Sequence, residues 1–500
     1  MKKIFIAIIL ALALWFASPL LRPGFIPTHD GEFSIIRIWQ YSKMMGEGYL
    51  FSRWAPDLNS GYGVPLFTFY YPFPYFVGSL FHFAGLSLVN SFKLTLGFSY
   101  ITAITLCFLW LKKLFNFQTA IIGTLFFLSV PYWFVNLYVR GSVGEVMAMA
   151  SLMAVLVGIE YQRIRIAAFA LAALIISHNI TAFIFLPLIV GYSFFRKKIP
   201  FTYFVWGLAL SAFFWIPAIV EQKFVVGLSN FDYRDHFPEL AQLLIPSWGT
   251  GFSRPGWPAD EMSQQLGVGV VALLALALVY FRKILTWPLL VSVLILFLML
   301  EASIPVWNII PALQFIQYPW RLLSVFIPLS AYLGAYIAGR NRVVATVLAV
   351  ITLLVSVRYA QPVIYESRGD EYYLSKREFT DGTTSVGNSF STLWLTWQKE
   401  RPAQVFEKGQ GESVIANISY YPGWTVVVDG RKTEVKEANG RIQFEVPPEA
   451  QNYELRFRET PLRLVSDGIS IVSLFWLIGS GILVSRYAHS NRRLSSRKRA

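Results

Sequence analysis

The stretch Pro72-Phe73-Pro74-Tyr75-Phe76-Val77-Gly78-Ser79-Leu80-Phe81-His82-Phe83-Ala84-Gly85-Leu86-Ser87-Leu88 is apolar enough to cross a bilayer, and whether it does so fixes the side on which every later loop falls. Counted as a span, it would place Lys112-Lys113 outside, against the rule that short Lys/Arg-rich loops stay cytoplasmic. Its two prolines and its aromatic rings suit the headgroup zone. The stretch therefore reads as an interfacial or re-entrant helix.

Working outward from it, twelve spans are expected, near 4–20, 91–111, 119–138, 143–160, 165–178, 180–195, 201–220, 265–281, 284–301, 321–339, 343–358 and 465–485. The pair around His178-Asn179 is short for two crossings, but one bent helix would break the charge alternation. Of the 500 residues, 55% are hydrophobic and 14% charged, with mean hydropathy +0.50; soluble chains carry about 25% charged residues. Disordered and fibrous classes are excluded, and so is a single soluble core.

The net charge of +14 first suggests an acidic partner, but its placement does not. The short breaks Lys2-Lys3, Lys112-Lys113, Glu160–Arg165, Arg196–Lys198, Arg282-Lys283, Arg340–Arg342 and the tail from Arg486 to Arg499 hold 19 Lys/Arg against one acid, Glu160. Segment 21–60 has four of each sign, and 221–262 has six acids against three bases. That skew sets orientation and puts both termini in the cytoplasm of a bacterial inner-membrane protein. The tail suits anionic membrane lipid, and no nucleic-acid partner is implied. The lone Cys107 permits no disulfide framework. Ile4–Phe16 could also be a signal peptide, but Ala17-Ser18-Pro19 is a poor cleavage site and the span parity needs this helix.

The chain divides into 1–358, a transmembrane domain with a first external loop 21–90; 359–463, an external β-rich domain; and 464–500, a final span with its basic tail. Loop 221–262 carries Trp248 and Trp257. In the β-rich part, Glu412–Tyr421 alternates and Trp424–Val428 is β-branched. Asp429-Gly430 then leads into Arg431–Val435 and Asn439-Gly440 into Arg441–Val446, before Tyr453–Arg458. Asp-Gly and Asn-Gly between such runs signal tight hairpins, so a small β-sandwich is expected.

The chemistry-bearing residues gather after the first span. His29-Asp30-Gly31-Glu32 is followed by Arg37, Trp39 and Gln40, by Arg53-Trp54-Ala55-Pro56-Asp57, and by Phe67–Pro72. A carboxylate at the membrane surface among arginines and rings suits an enzyme whose donor is a lipid-linked sugar. The acid can take a proton from an acceptor hydroxyl, and arginines can neutralise the departing phosphate. The plainer reading is that Asp30 caps the helix after it. Arg140 and Glu145 flank an external span end, where an ion pair and phosphate binding are both open. Arg321 either anchors phosphate or snorkels. Asp232, Asp235 and His236 could join Asp30 on a divalent metal, or sit in a solvated loop. His178 is the kind of intramembrane residue that is more often hydrogen-bonded than catalytic.

The order of spans, the acid directly after the first span and the interfacial helix before the second resemble the GT-C glycosyltransferases. Thr28-His29-Asp30, Arg53-Trp54-Ala55-Pro56-Asp57, Gly61-Tyr62-Gly63-Val64-Pro65, Ser177-His178-Asn179 and Gln317-Tyr318-Pro319-Trp320-Arg321 look like a bacterial membrane family labelled "6-pyruvoyl-tetrahydropterin synthase-related", a label that names no activity. Tyr420-Tyr421-Pro422-Gly423-Trp424 with Val428-Asp429-Gly430 is similar to the end of YfhO-type membrane glycosyltransferases. The resemblance implies inverting transfer from a polyprenyl-phosphate sugar to a glycan, lipid or protein acceptor, with Asp30 as base. The candidate substrate-binding set is His29, Arg53, Trp54, Asp57, Arg140, Glu145, His178, Tyr318 and Arg321. The pattern often has two adjacent acids where this chain has His29-Asp30, so a divalent metal stays open. A flippase or transporter of lipid-linked glycans and a non-catalytic glycan-binding scaffold are the rival classes. The lack of internal symmetry and of deep ionisable residues stands against transport.

Overall fold

The computed structural model describes residues 2–227, 232–253, 261–375, 384–385, 388–400, 402–409, 413–450 and 452–497. Among them, seven helices are long and apolar enough to cross a membrane, and three further pairs qualify when each bent pair counts as one span. Two shorter apolar helices, Ile164–Ser177 and Val268–Val279, complete a set that falls on all twelve expected segments. The chain is a multi-pass helical membrane protein.

The bends have local causes. Phe117–Leu128 and Pro131–Arg140 meet at 49°, where Pro131 removes a backbone donor. Thr202–Leu210 and Ala212–Phe224 meet at 69°, and Lys283–Met299 turns by 93° into Glu301–Ile309. His178 is extended (φ −164°, ψ 109°), so Ile164–Ser177 and Asn179–Arg196 are separate helices. The disputed stretch 72–88 forms the helix Phe73–Phe83. Its 11 residues reach about 16 Å, roughly half a hydrocarbon core.

Contacts between helix ends sort the polar breaks. Lys2 lies over the Phe117 ring, Lys113 over the Tyr161 ring, and Arg196 binds Glu160 at 2.6 Å. These basic breaks share one end of the bundle. The opposite end carries the helix Gly31–Gly46, the Phe73–Phe83 helix and the β-domain.

The sandwich is a four-stranded sheet, β1 (Phe406–Lys408), β2 (Ser413–Ser419), β6 (Arg441–Glu445), β5 (Lys436–Ala438), facing a three-stranded sheet, β4 (Arg431–Thr433), β3 (Trp424–Val428), β7 (Tyr453–Phe457). All pairings are antiparallel. Ala416, Val426, Ile442 and Phe444 fill its core. Asp429-Gly430 and Asn439-Gly440 both have positive φ throughout, which is what a two-residue type I′ turn requires.

The strands begin well inside the 359–463 segment, at Phe406. Residues 359–375 pack on the first external layer instead: Phe25 bridges Glu366, Tyr365 Oη donates to the Pro19 carbonyl at 3.0 Å, and Asp370 accepts from Leu88 N–H at 2.9 Å. Trp248 packs on Tyr359, while Trp257 and the last basic residues Lys498 and Arg499 lie outside the described residues.

Candidate active site

The segment that carries His29 and Asp30 is laced to the end of a span. His29 N–H donates to the Val139 carbonyl at 3.0 Å and Asp30 N–H to the Arg140 carbonyl at 2.8 Å. Val135–Arg140 is wound as a π-helix, a wide turn frequent at functional sites. Two glycines let the strands of this knot approach. Gly141 sits at φ +64°, and a Cβ there would lie 2.3 Å from Thr28 Oγ1. A Cβ on Gly31 would meet the same oxygen at 2.3 Å.

Asp30 occupies the N-cap position of Gly31–Gly46, yet its side chain makes no capping bond. Its carboxylate has no hydrogen-bond or ion-pair partner among the described residues. Instead it lines a cavity of about 330 Å³ whose walls include His29, Arg37, Arg140, His178 and Arg321. The capping reading of Asp30 therefore does not describe this fold.

Opposite stand two arginines held from behind. Glu145 is buried and takes Arg140 Nη1 at 2.8 Å and Arg321 Nε at 3.3 Å on one oxygen, and Tyr132 Oη donates to the other at 2.9 Å. Arg140 Nη1 also donates to Asn136 Oδ1 at 2.6 Å, and Arg321 Nη1 to Gln317 Oε1 at 2.7 Å. The Arg140 guanidinium lies 4.8 Å from the Trp320 ring and that of Arg321 4.6 Å from Tyr318. The Nη2 groups of both arginines have no partner among the described residues. Sharing one carboxylate between two cations leaves an excess positive charge, which favours an anionic ligand. For Arg140 and Glu145 the ion pair is real, and it orients the arginines without using up their donors.

The two histidines are fixed in opposite senses. His178 caps Asn179–Arg196: Thr181 N–H donates to its Nδ1 at 3.0 Å, so the neutral ring carries its proton on Nε2. Its ring lies 4.8 Å from that of Tyr71. His29 Nε2–H donates to the Thr250 carbonyl at 2.8 Å, so its free lone pair is on Nδ1. Burial holds the His29 pKa below its ordinary value, the Thr250 hydrogen bond opposing and the Arg140 charge adding to the effect.

Arg37, which stands among the chemistry-bearing residues but outside the candidate binding set, lines the same cavity. Its Nε donates to Thr384 Oγ1 at 3.1 Å and its Nη1 to Tyr75 Oη at 3.1 Å, while the guanidinium stacks 3.9 Å from the Tyr70 ring. The Phe67–Pro72 aromatic run was the available signal, since Tyr70 and Tyr71 also line the cavity.

Three candidates lie elsewhere. Arg53 Nε donates to both Glu459 oxygens (2.9 and 2.8 Å) and its Nη2 to Asp467 at 2.8 Å, far along the chain, so it cannot sit on a phosphate beside Asp30. Trp54 packs edge-on against Trp424 at 5.2 Å. Asp57 accepts Lys43 Nζ at 2.6 Å and Gln40 Nε2 at 2.9 Å, which ties it to the Gly31–Gly46 helix. A metal set of Asp30 with Asp232, Asp235 and His236 does not form, because among the described residues no three such side chains converge. His236 Nδ1 lies 3.1 Å from the Ser253 carbonyl, and its ring meets Tyr318 edge-on.

No protein-family model matches the chain. No curated protein matches it either. Among solved structures it is similar to the cryo-EM structure of the arabinofuranosyltransferase AftD from mycobacteria, at 15% identity and a TM-score of 0.47. The likeness covers 72% of this chain and 27% of that one.

Proposed function

We propose that the Asp30 cavity is the active site of a membrane glycosyltransferase of GT-C type, which moves a sugar from a polyprenyl-phosphate donor to a glycan, lipid or protein acceptor. The observation that carries the reading is an uncapped, unpartnered carboxylate sharing one cavity with three arginines. The donor phosphate lies on Arg140 and Arg321, whose Glu145 partner keeps them in place at no cost of reorganisation. The acceptor hydroxyl attacks the anomeric carbon from the Asp30 side. The bond from that carbon to the phosphate oxygen breaks, the hydroxyl proton passes to Asp30, and polyprenyl phosphate leaves. One such displacement inverts the anomeric centre. The skew of basic breaks to one end of the bundle supports a cytoplasmic side that holds both termini, with the cavity on the outer face of the inner membrane.

The test is turnover of purified protein in a bilayer, read as polyprenyl phosphate released from a polyprenyl-phosphate sugar. Asp30→Asn removes basicity and keeps the shape, so turnover falls by roughly 10²–10⁴ with donor binding retained. Arg321→Ala weakens donor binding first. Full activity of Asp30→Asn would move the base elsewhere, and no turnover across a broad donor screen would favour the scaffold reading.

A further inference from the structure

A second cavity system runs along the seam between the β-sandwich and the membrane helices. Its lower part, about 610 Å³, is apolar and lies among spans, lined by Phe73, Phe169, Ala173, Ile176, Phe213 and Leu474. Its upper part, about 310 Å³, is lined by Tyr49, Trp54, Tyr62 and Trp424, with Glu47 and Arg456. The two share Phe51, Ser52, Arg53 and Glu459, so one molecule can occupy both.

The two halves ask for different chemistry. An apolar slot at span depth accepts a hydrocarbon chain, whose burial is favourable at about 0.8 kcal/mol per methylene. The aromatic faces above suit the CH surface of a sugar ring. Trp424 also carries a buried indole N–H with no partner among the described residues, a donor waiting for an acceptor. Charge decides the rest. Arg53 is spent on two carboxylates, Glu459 and Asp467, and the other cation on the lining, Arg456, is spent on Glu454, while Glu47 lines the upper part as well. A phosphate finds no spare cation here, whereas the Asp30 cavity offers it Arg140 and Arg321.

We infer that this seam binds an uncharged glycolipid, chain below and sugar above. Its role as the acceptor rests on the transferase reading, whereas the binding does not. The test uses the full chain in phosphatidylcholine nanodiscs with three probes of matched chains: dihexosyl diacylglycerol, diacylglycerol and phosphatidylglycerol. Saturable binding of the first is expected, at least tenfold tighter than either control. Ala173→Trp fills the lower cavity and Tyr62→Ala removes a ring above; each weakens the glycolipid by about tenfold. If Ala173→Trp fails to fold, the half-buried Tyr62 decides the matter alone. Equal binding of diacylglycerol or phosphatidylglycerol overturns the inference, as does wild-type binding by Tyr62→Ala. Binding without turnover on any donor strikes down the transferase reading and leaves this site standing; turnover without seam binding does the reverse.

Discussion

The Asp30 cavity and the Arg53 seam are made of the same materials, arginines, carboxylates and aromatic rings, and they do opposite things with them. At the seam the arginines are spent on carboxylates of the protein. Arg463 is fully buried and binds Glu221 through Nε and Nη2, both at 2.8 Å; Tyr421 Oη donates to Glu221 at 2.8 Å, and the Pro422 carbonyl accepts from Arg463 Nη2 at 2.9 Å. Gly423, at φ +116°, leaves room where a Cβ would lie 2.8 Å from Arg463 Nη1. Tyr421-Pro422-Gly423-Trp424 is thus a clasp between the β-sandwich and the spans. In the cavity, by contrast, a carboxylate and two Nη2 groups are left over. Arginines each matched to a carboxylate of their own hold elements together, whereas two arginines that share one carboxylate, beside an acid with no pair, are available to a ligand.

The largest effects separate these roles. Asp30→Asn should cost turnover about 3–5 kcal/mol of transition-state stabilisation, the equivalent of its 10²–10⁴ loss, with the melting temperature unchanged. Arg463→Ala should do the reverse. It strands Glu221 as a buried unpaired charge, which costs about 3–5 kcal/mol of stability. Thermal unfolding in detergent would show it, and Glu221→Gln combined with Arg463→Met should recover much of the loss. If Arg463→Ala kept its melting temperature and lost activity, the clasp would belong to the catalytic apparatus and the comparison would break.

Much of this architecture is legible in the chain because its causes are local. Span length and apolarity mark the helices, and Asp429-Gly430 and Asn439-Gly440 mark the hairpins because positive φ selects those residues. The strands β1 and β5, three residues each, carry too little pattern to be seen. The cavity is half legible: Thr28-His29-Asp30, Ser177-His178-Asn179 and Gln317–Arg321 meet there. The motif Arg53–Asp57 looked equivalent and is not. Arg53 finds its partners 406 and 414 residues later, and nothing within a local window distinguishes a spent arginine from a free one. Arg37 was obscure for the same reason, since Thr384 reaches it from 347 residues away.

A smaller effect tests how the cavity is held. Gly141→Ala puts an L side chain at φ +64°, which costs ~1–2 kcal/mol before Thr28 shifts. Stability and turnover should both fall, because the lacing that positions Asp30 loosens. Smaller still is a pH effect. His29 has a folded pKa below its unfolded value, so its contribution to stability is full above about 6.5 and is lost as pH falls through the folded value. Melting temperatures across that acid limb should flatten in His29→Gln, while a limb unchanged by the substitution would assign it to other groups.

The smallest effect falls on Asp57, whose place in the motif beside Arg53 made it a candidate ligand. Its partner Lys43 is 37% exposed and Asp57 itself 27%, so solvent screens the pair. Exposed ion pairs contribute about 0.2–1 kcal/mol. Asp57→Asn keeps an acceptor for Gln40 and loses only the charge. Its melting temperature should move by no more than a few degrees, and turnover should equal that of wild type. Large loss of turnover at constant stability would mean that Asp57 reaches the substrate after all. The divide between a spent surface and an open cavity would then have to be redrawn to include the Gly31–Gly46 helix.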